Sequence, residues 1–157
     1  MKRFDIKTQV EQVGFDELTP EEQALVETAR KATYRSYAPY SKFSVGAAIR
    51  LSDGSVVAGA NQENVAFPSG TCAERTAAFY AHAQHPDARF EAIAIAARGT
   101  DGEPLAEPIS PCGACRQSLL QYELLAGKDV EVLLVGRDYV YRVPSVRSLL
   151  PFAFTSL

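Results

Sequence analysis

The chain has 157 residues, 46% of them hydrophobic, and a formal net charge of −3 at neutral pH. That length suits a single domain, residues 1–157, burying roughly 70% of its unfolded surface. The acidic balance leaves no overall electrostatic footprint for DNA or RNA, although a local basic patch can survive within it. No run of about 18 apolar residues offers a membrane span. The opening Met1-Lys2-Arg3-Phe4-Asp5-Ile6-Lys7 also lacks the apolar core and small-residue cleavage site of a signal peptide, so a soluble, cytoplasmic protein is expected.

Residues 2–15 mix charge with alternating Ile6, Thr8 and Val10 and read as an exposed arm or edge strand, so residues 1–18 form an expected N-terminal arm. Thr19-Pro20-Glu21-Glu22 predicts a helix start: a capping threonine, proline at the first helical position and two acids in the first turn. Leu25, Val26, Ala29 and Ala32 share one face of this helix, which fades near Ser36 and is stopped by Ala38-Pro39-Tyr40-Ser41. Residues 43–51 and 55–61 are apolar, β-branched runs joined by Ser52-Asp53-Gly54, which predicts a hairpin. A polar loop at 62–70 precedes a helix over 72–82. A strand follows at 90–97 and a Gly/Pro/acid loop at 98–108. Ser110-Pro111-Cys112-Gly113-Ala114-Cys115-Arg116-Gln117 opens a further helix, whose buried face carries Leu119, Leu120 and Leu124. Strands at 130–136 and 139–143 and a short helix at 145–150 complete the pattern. A hairpin followed by alternating strands and helices predicts a layered α/β sandwich around a mixed sheet.

All three cysteines lie in two segments, Thr71-Cys72-Ala73-Glu74-Arg75 and the Cys112-Gly113-Ala114-Cys115 run. An odd number in this spacing suits thiolate ligation in a reducing compartment better than a disulfide framework. A structural zinc site closes its tetrahedron with four protein ligands, whereas a catalytic one uses three and leaves a position for water. His82 and His85 are the only candidates for a fourth ligand. They sit at the far end of the helix that Cys72 begins, ~15 Å along its axis, and read as ordinary solvated helix-end residues. Three thiolates leave the site net negative. Two predicted helix N-termini and the nearby Arg75 and Arg116, placed to hydrogen-bond the sulfurs, offset that charge. A bare Cys-x-x-Cys also fits a redox dithiol, but the third cysteine and the Cys-Ala-Glu triplet argue for the metal. Glu74, two residues after a ligand on the first helical turn, can point at the open coordination position without binding the metal. Its simpler reading is complementation of the helix dipole.

These residues resemble the cytidine deaminase family, specifically its short, homotetrameric branch. The similarity spans about Tyr37 to Phe154. It rests on Ala38-Pro39-Tyr40-Ser41-Lys42-Phe43-Ser44-Val45-Gly46-Ala47-Ala48, Asn61-Gln62-Glu63-Asn64, Cys72-Ala73-Glu74-Arg75-Thr76-Ala77, the Ser110–Gln117 octet and Leu149-Leu150-Pro151-Phe152-Ala153-Phe154. The resemblance implies a three-layer α/β/α sandwich around a mixed five-stranded sheet. It implies one Zn²⁺ per subunit on Cys72, Cys112 and Cys115, with Glu74 handling protons. It further implies that Asn61 and Glu63 hold the ribose hydroxyls, that Ala73 contacts the substrate, and that Phe43 packs against the pyrimidine. Turn chemistry is the alternative for Asn61 and Glu63, and core packing for Phe43. Phe154 is implied to close a neighbouring subunit's site, with a local hydrophobic plug as the alternative. The implied reaction is hydrolytic deamination of cytidine and deoxycytidine within a homotetramer, with no nucleic-acid or membrane partner. A deaminase of another aminopyrimidine, such as a blasticidin-type antibiotic, shares the zinc motifs. A zinc-dependent nucleic-acid-binding or editing protein would need a basic groove and aromatic platforms. Phe67 stands where many family members have tyrosine, and the sequence ends three residues after Phe154.

Overall fold

The structure is a computed structural model that describes residues 1–156. Six strands form one sheet: β1 (Glu11–Val13), β2 (Ser44–Leu51), β3 (Val56–Ala60), β4 (Phe90–Arg98), β5 (Glu131–Val135) and β6 (Val140–Val143). Three helices flank it: α1 (Pro20–Ala32), α2 (Ala73–Gln84) and α3 (Gly113–Ala126). The strand order is β1-β6-β5-β4-β2-β3. Only β4 and β5 run parallel, joined by the crossover through α3; the other neighbours are antiparallel. Among the described residues no helix is long and apolar enough to cross a membrane.

The expected five strands become six. The addition is β1, inside the segment read as arm or edge strand, which pairs with β6 at Glu11↔Arg142, Gln12↔Tyr141 and Val13↔Val140. Of its three residues Val13 alone is buried, so one apolar side chain and the ladder bonds hold the strand in place. Residues 1–10 ahead of it are exposed, tethered by the Thr8 hydroxyl donating to the Ser148 carbonyl at 2.6 Å. The short helix expected over 145–150 contracts to a single 3₁₀ turn, Arg147–Leu149.

Strand periodicity sorts the core into two layers. On β4, Ala92, Ala94 and Ala96 face α1 and pack with Leu25, Val26 and Ala29. Ile93 and Ile95 face the opposite side, against Ala77, Ala78 and Ala81 of α2 and Leu119 and Leu120 of α3. Ile93 and Ile95 are fully buried, each contributing about 1.5–3 kcal/mol by the usual area relation.

Two glycines set how closely the helices lie on the sheet. A methyl group at Gly46 of β2 would run into the Ala29 carbonyl of α1 and come within 2.6 Å of Thr33 N. At Gly59 of β3 it would meet the Ala77 backbone nitrogen and sit 2.9 Å from the Ala73 carbonyl of α2. With small residues on both sides, the start of α2 is pressed directly onto the β2–β3 hairpin. The α1 start is a capping box: Thr19 Oγ1 accepts from Glu22 N at 3.2 Å and Glu22 Oε2 accepts from Thr19 N at 2.7 Å.

Candidate active site

Helices α2 and α3 begin beside one another, each with a cysteine as its N-cap: Cys72 and Cys112, both in extended backbone conformation and neither making a side-chain capping bond. The first N–H groups of both helices therefore have no cap from these side chains and present partial positive charge to the same place. Cys115, one turn into α3, is buried, Cys72 half-buried and Cys112 exposed. Their three sulfurs lie within 4.8 Å of one another. A tetrahedral ion with Zn–S near 2.3 Å sets sulfur–sulfur edges of ~3.8 Å, so this donor set fits zinc with small side-chain adjustment. The sequence places the helix from Cys72 onward; the structure makes Cys72 the cap and starts the helix at Ala73, which is fully buried.

The site's charge is balanced locally. Arg75 Nη2 donates to Cys72 Sγ at 3.6 Å, and Arg75 Nε is buried with no protein partner among the described residues. Cys115 donates its S–H to Cys72, and with the help of Arg75 this brings the Cys72 thiol down to about 5 in spite of burial. The same hydrogen bond, together with burial, pushes Cys115 up. The sulfur favoured as thiolate is therefore the one beside the arginine. Glu74 is 4% exposed. Burial chiefly, with the neighbouring Cys72 charge adding to it, holds its carboxyl above the usual carboxylate range.

Arg116 behaves differently from Arg75. Its expected bond to sulfur is replaced by three others: Nε donates to the Pro111 carbonyl at 2.7 Å, Nη1 to the Leu149 carbonyl at 2.8 Å and Nη2 to Ser110 Oγ at 2.9 Å. It ties the chain's last segment to the start of α3. Gln117 continues that tie, donating to the Phe154 carbonyl at 2.7 Å and accepting from Phe154 N at 3.3 Å. The Phe154 side chain is left 62% exposed. Sequence reasoning missed the Gln117 clamp because its partner is 37 residues away.

The residues that the resemblance assigns to the substrate, Phe43, Asn61 and Glu63, gather around the loop before β2. Asn61 Oδ1 accepts from Ser36 Oγ at 2.6 Å and Val45 N at 2.8 Å, while its Nδ2 donates to the Phe43 carbonyl at 2.9 Å. Glu63 Oε2 accepts from Tyr40 N at 2.8 Å, and its two oxygens share Ser41 N at 3.3 Å. The Ser41 hydrogen bond leads in holding the Glu63 carboxyl below the usual range. Asn61 thus braces the half-buried Phe43 and Glu63 the turn just ahead of it, and Ser36 joins the set without a sequence signal of its own. Glu63 also lines an open cleft with Tyr40, Asn64 and the exposed Phe67. The histidines are not freely solvated as expected. His85 Nδ1 lies 3.0 Å from Asp53 Oδ2, and the His82 ring packs on Tyr122 at 5.5 Å.

Residues 19–127 match the family model described as the cytidine and deoxycytidylate deaminase zinc-binding region. A cytidine deaminase of Halalkalibacterium halodurans is 40% identical over 134 residues, covering 85% of this chain and 94% of the relative. The corresponding figures for a Mycobacterium tuberculosis cytidine deaminase are 36% over 126 residues, with 80% and 84% covered. The crystal structure of a cytidine deaminase from Burkholderia pseudomallei superposes with a TM-score of 0.71 at 41% identity, covering 87% of this chain and all of that one. The match of that model over residues 19–127 and the 40% identity to a relative covered almost end to end, together with a three-thiol group able to hold a metal ion, show that the chain belongs to the cytidine and deoxycytidylate deaminase family.

Proposed function

We propose that the chain is a single-domain, zinc-dependent enzyme that hydrolyses cytidine and deoxycytidine to uridine and deoxyuridine and ammonia, in pyrimidine salvage. The observation that carries this reading is the three-sulfur cluster with the buried Glu74 two residues from one of its cysteines. Cys72, Cys112 and Cys115 would hold the zinc. When bound, the metal supplies the Lewis acidity that brings water close to deprotonation at neutral pH. Glu74 takes the proton of the attacking water as its oxygen adds to C4, and delivers it to N3. It then passes the remaining proton to the departing amino group, so that the C4–N4 bond breaks, ammonia leaves and the C4 carbonyl forms. A carboxyl raised above its usual range is the stronger base that these transfers need.

Phe43 is assigned to the pyrimidine face, and Asn61 and Glu63 to the sugar hydroxyls. One Nδ2 proton of Asn61 and further lone pairs of Glu63 stay available beyond the bonds bracing the loop. Ala73, at the start of α2, contributes backbone next to the base. The enzyme works as a cytoplasmic homotetramer in which Phe154 reaches a neighbour's site. Support for assembly comes from aromatic side chains left exposed: Phe67, Phe79, Tyr80, Phe152 and Phe154.

The test follows the loss of cytidine's ultraviolet absorbance with purified protein, alongside deoxycytidine, cytosine, dCMP and single-stranded DNA, with and without a zinc chelator. Turnover of both nucleosides, abolished by the chelator, is expected. Inactivity on both would overturn the reading.

A further inference from the structure

On the opposite face of the sheet from the cysteine cluster, a cavity of about 380 Å³ opens where β4 and β5 end. These are the only parallel neighbours among the described strands, and the crevice beyond the carboxyl ends of parallel strands is where open α/β sheets take ligands. Arg98 from β4, Arg137 just after β5, and Arg30 and Lys31 from the last turn of α1 line it, with Tyr34 at its rim. In an acidic chain this concentrates four cations around one hollow. The one carboxylate in the lining, Glu27, sits 3.5 Å from Lys31.

Arg137 pairs at the surface with its neighbour Asp138 at 3.2 Å, whereas Arg30 and Arg98 are held by neutral partners. Arg30 Nη2 donates to the Gly136 and Arg137 carbonyls at 2.9 and 3.1 Å, and its guanidinium lies over Phe15. Arg98 donates to Thr33 Oγ1 at 2.9 Å, to the Thr33 carbonyl at 3.2 Å and to the Gly102 carbonyl at 3.2 Å. Among the described residues neither pairs with a carboxylate, so two half-buried positive charges are oriented but uncompensated. Guanidinium groups fixed in this way, with donors left over, suit a multi-oxygen anion. Arg98 also stacks on Tyr34 at 3.9 Å from the ring centroid. It covers one face of a ring that is 73% exposed and leaves room on it for a flat group.

We propose that this cavity is a second ligand site that binds a phosphoryl group, free or as the monoester of a ring-bearing small molecule. Arg30, Lys31, Arg98 and Arg137 hold the phosphoryl oxygens, and Tyr34 carries the ring. The loop leaving this cavity at Arg98 ends at Cys112, so an occupant would sit at the root of the segment that presents a zinc ligand.

Titration calorimetry of the zinc-loaded enzyme at low salt tests the site with three probes: inorganic phosphate, uridine 5′-monophosphate and uridine. Saturable phosphate binding is expected. The exposed pair Lys31→Glu with Arg137→Glu should weaken it at least ~10-fold and leave uridine binding unchanged. Arg98→Gln should act in the same direction. The monophosphate binding tighter than phosphate, with the gain lost in Tyr34→Ala, identifies the ring-bearing ligand; equal binding identifies free phosphate. Absence of saturable phosphate and monophosphate binding up to about 10 mM, or phosphate affinity identical in wild type and the charge-reversed pair, overturns the proposal.

Discussion

At the scale of single residues, the proposed mechanism divides the chemistry between the metal and one carboxylate. Glu74→Gln keeps the side-chain shape and removes the base. The variant should retain stoichiometric zinc while its turnover falls by about 10²–10⁴, the range for a positioned proton-transfer group. Near-normal turnover would remove Glu74 from the mechanism. Cys72→Ala removes the sulfur beside Arg75 and should lose bound zinc by elemental analysis; stoichiometric zinc in that variant would break the ligand set. The two arginines mark what local sequence conveys. Arg75 sits three residues after a cysteine on the same helix, and the 3.6-residue turn returns it to that sulfur. Arg116 follows its cysteine directly and so points elsewhere. Its partner Leu149 is 33 residues away, a distance at which spacing carries no information.

The same division holds for whole elements. The capping box at Thr19, the Asp-Gly hairpin and the alternating pattern of β4 act through neighbours in sequence, and the elements they specify form where expected. β1 depends on β6, more than a hundred residues later, so its pairing was not legible. Nor was the role of Glu123, a buried carboxylate that accepts from the N–H groups of Val130, Val146 and Arg147 and so joins the turn that follows α3 to the segment after β6. Packing between elements yields a sharp expectation at Gly46. A methyl there meets α1 backbone, which cannot rotate away as a side chain can. Gly46→Ala should therefore destabilise by about 1–3 kcal/mol or more, read as a lowered midpoint in urea; an unchanged midpoint would show that α1 is free to shift. Electrostatics between elements predicts a pH response. Glu22 receives a two-pronged bond from Arg142 of β6, at 2.9 and 3.0 Å. Although burial opposes its ionisation, the Thr19 N–H and Arg142 hold its carboxyl below the usual carboxylate range. A depressed carboxyl stabilises the fold above its unfolded pKa, and that contribution disappears as pH falls through the folded value. Melting temperature should thus drop more steeply below pH 4.5 in wild type than in Glu22→Gln; parallel profiles would remove this ion pair from the acid response.

At the scale of the whole molecule, the question is whose site Phe154 serves. Its backbone is fixed by Gln117 on both sides, on the same helical turn as Cys115, yet its ring projects into solvent. In the proposed homotetramer, a rigid mount with an exposed aromatic suits donation of the ring to another subunit's site. If Phe154 lies on the base in a neighbour's site, Phe154→Ala should cost about 1–3 kcal/mol of substrate affinity, as for base stacking elsewhere, with zinc retained. The decisive experiment mixes two defective proteins. Glu74→Gln subunits lack the base but carry Phe154; Phe154→Ala subunits carry the base but lack the ring. In mixed assemblies made by co-expression, a site with Glu74 from one subunit and Phe154 from another is complete. Random assortment in a cyclic arrangement makes on the order of a quarter of all sites complete in this way. Activity well above the mean of the two parents is therefore expected. If Phe154 acts within its own subunit, every site lacks one group or the other, and the mixture stays at the parental mean whatever its composition.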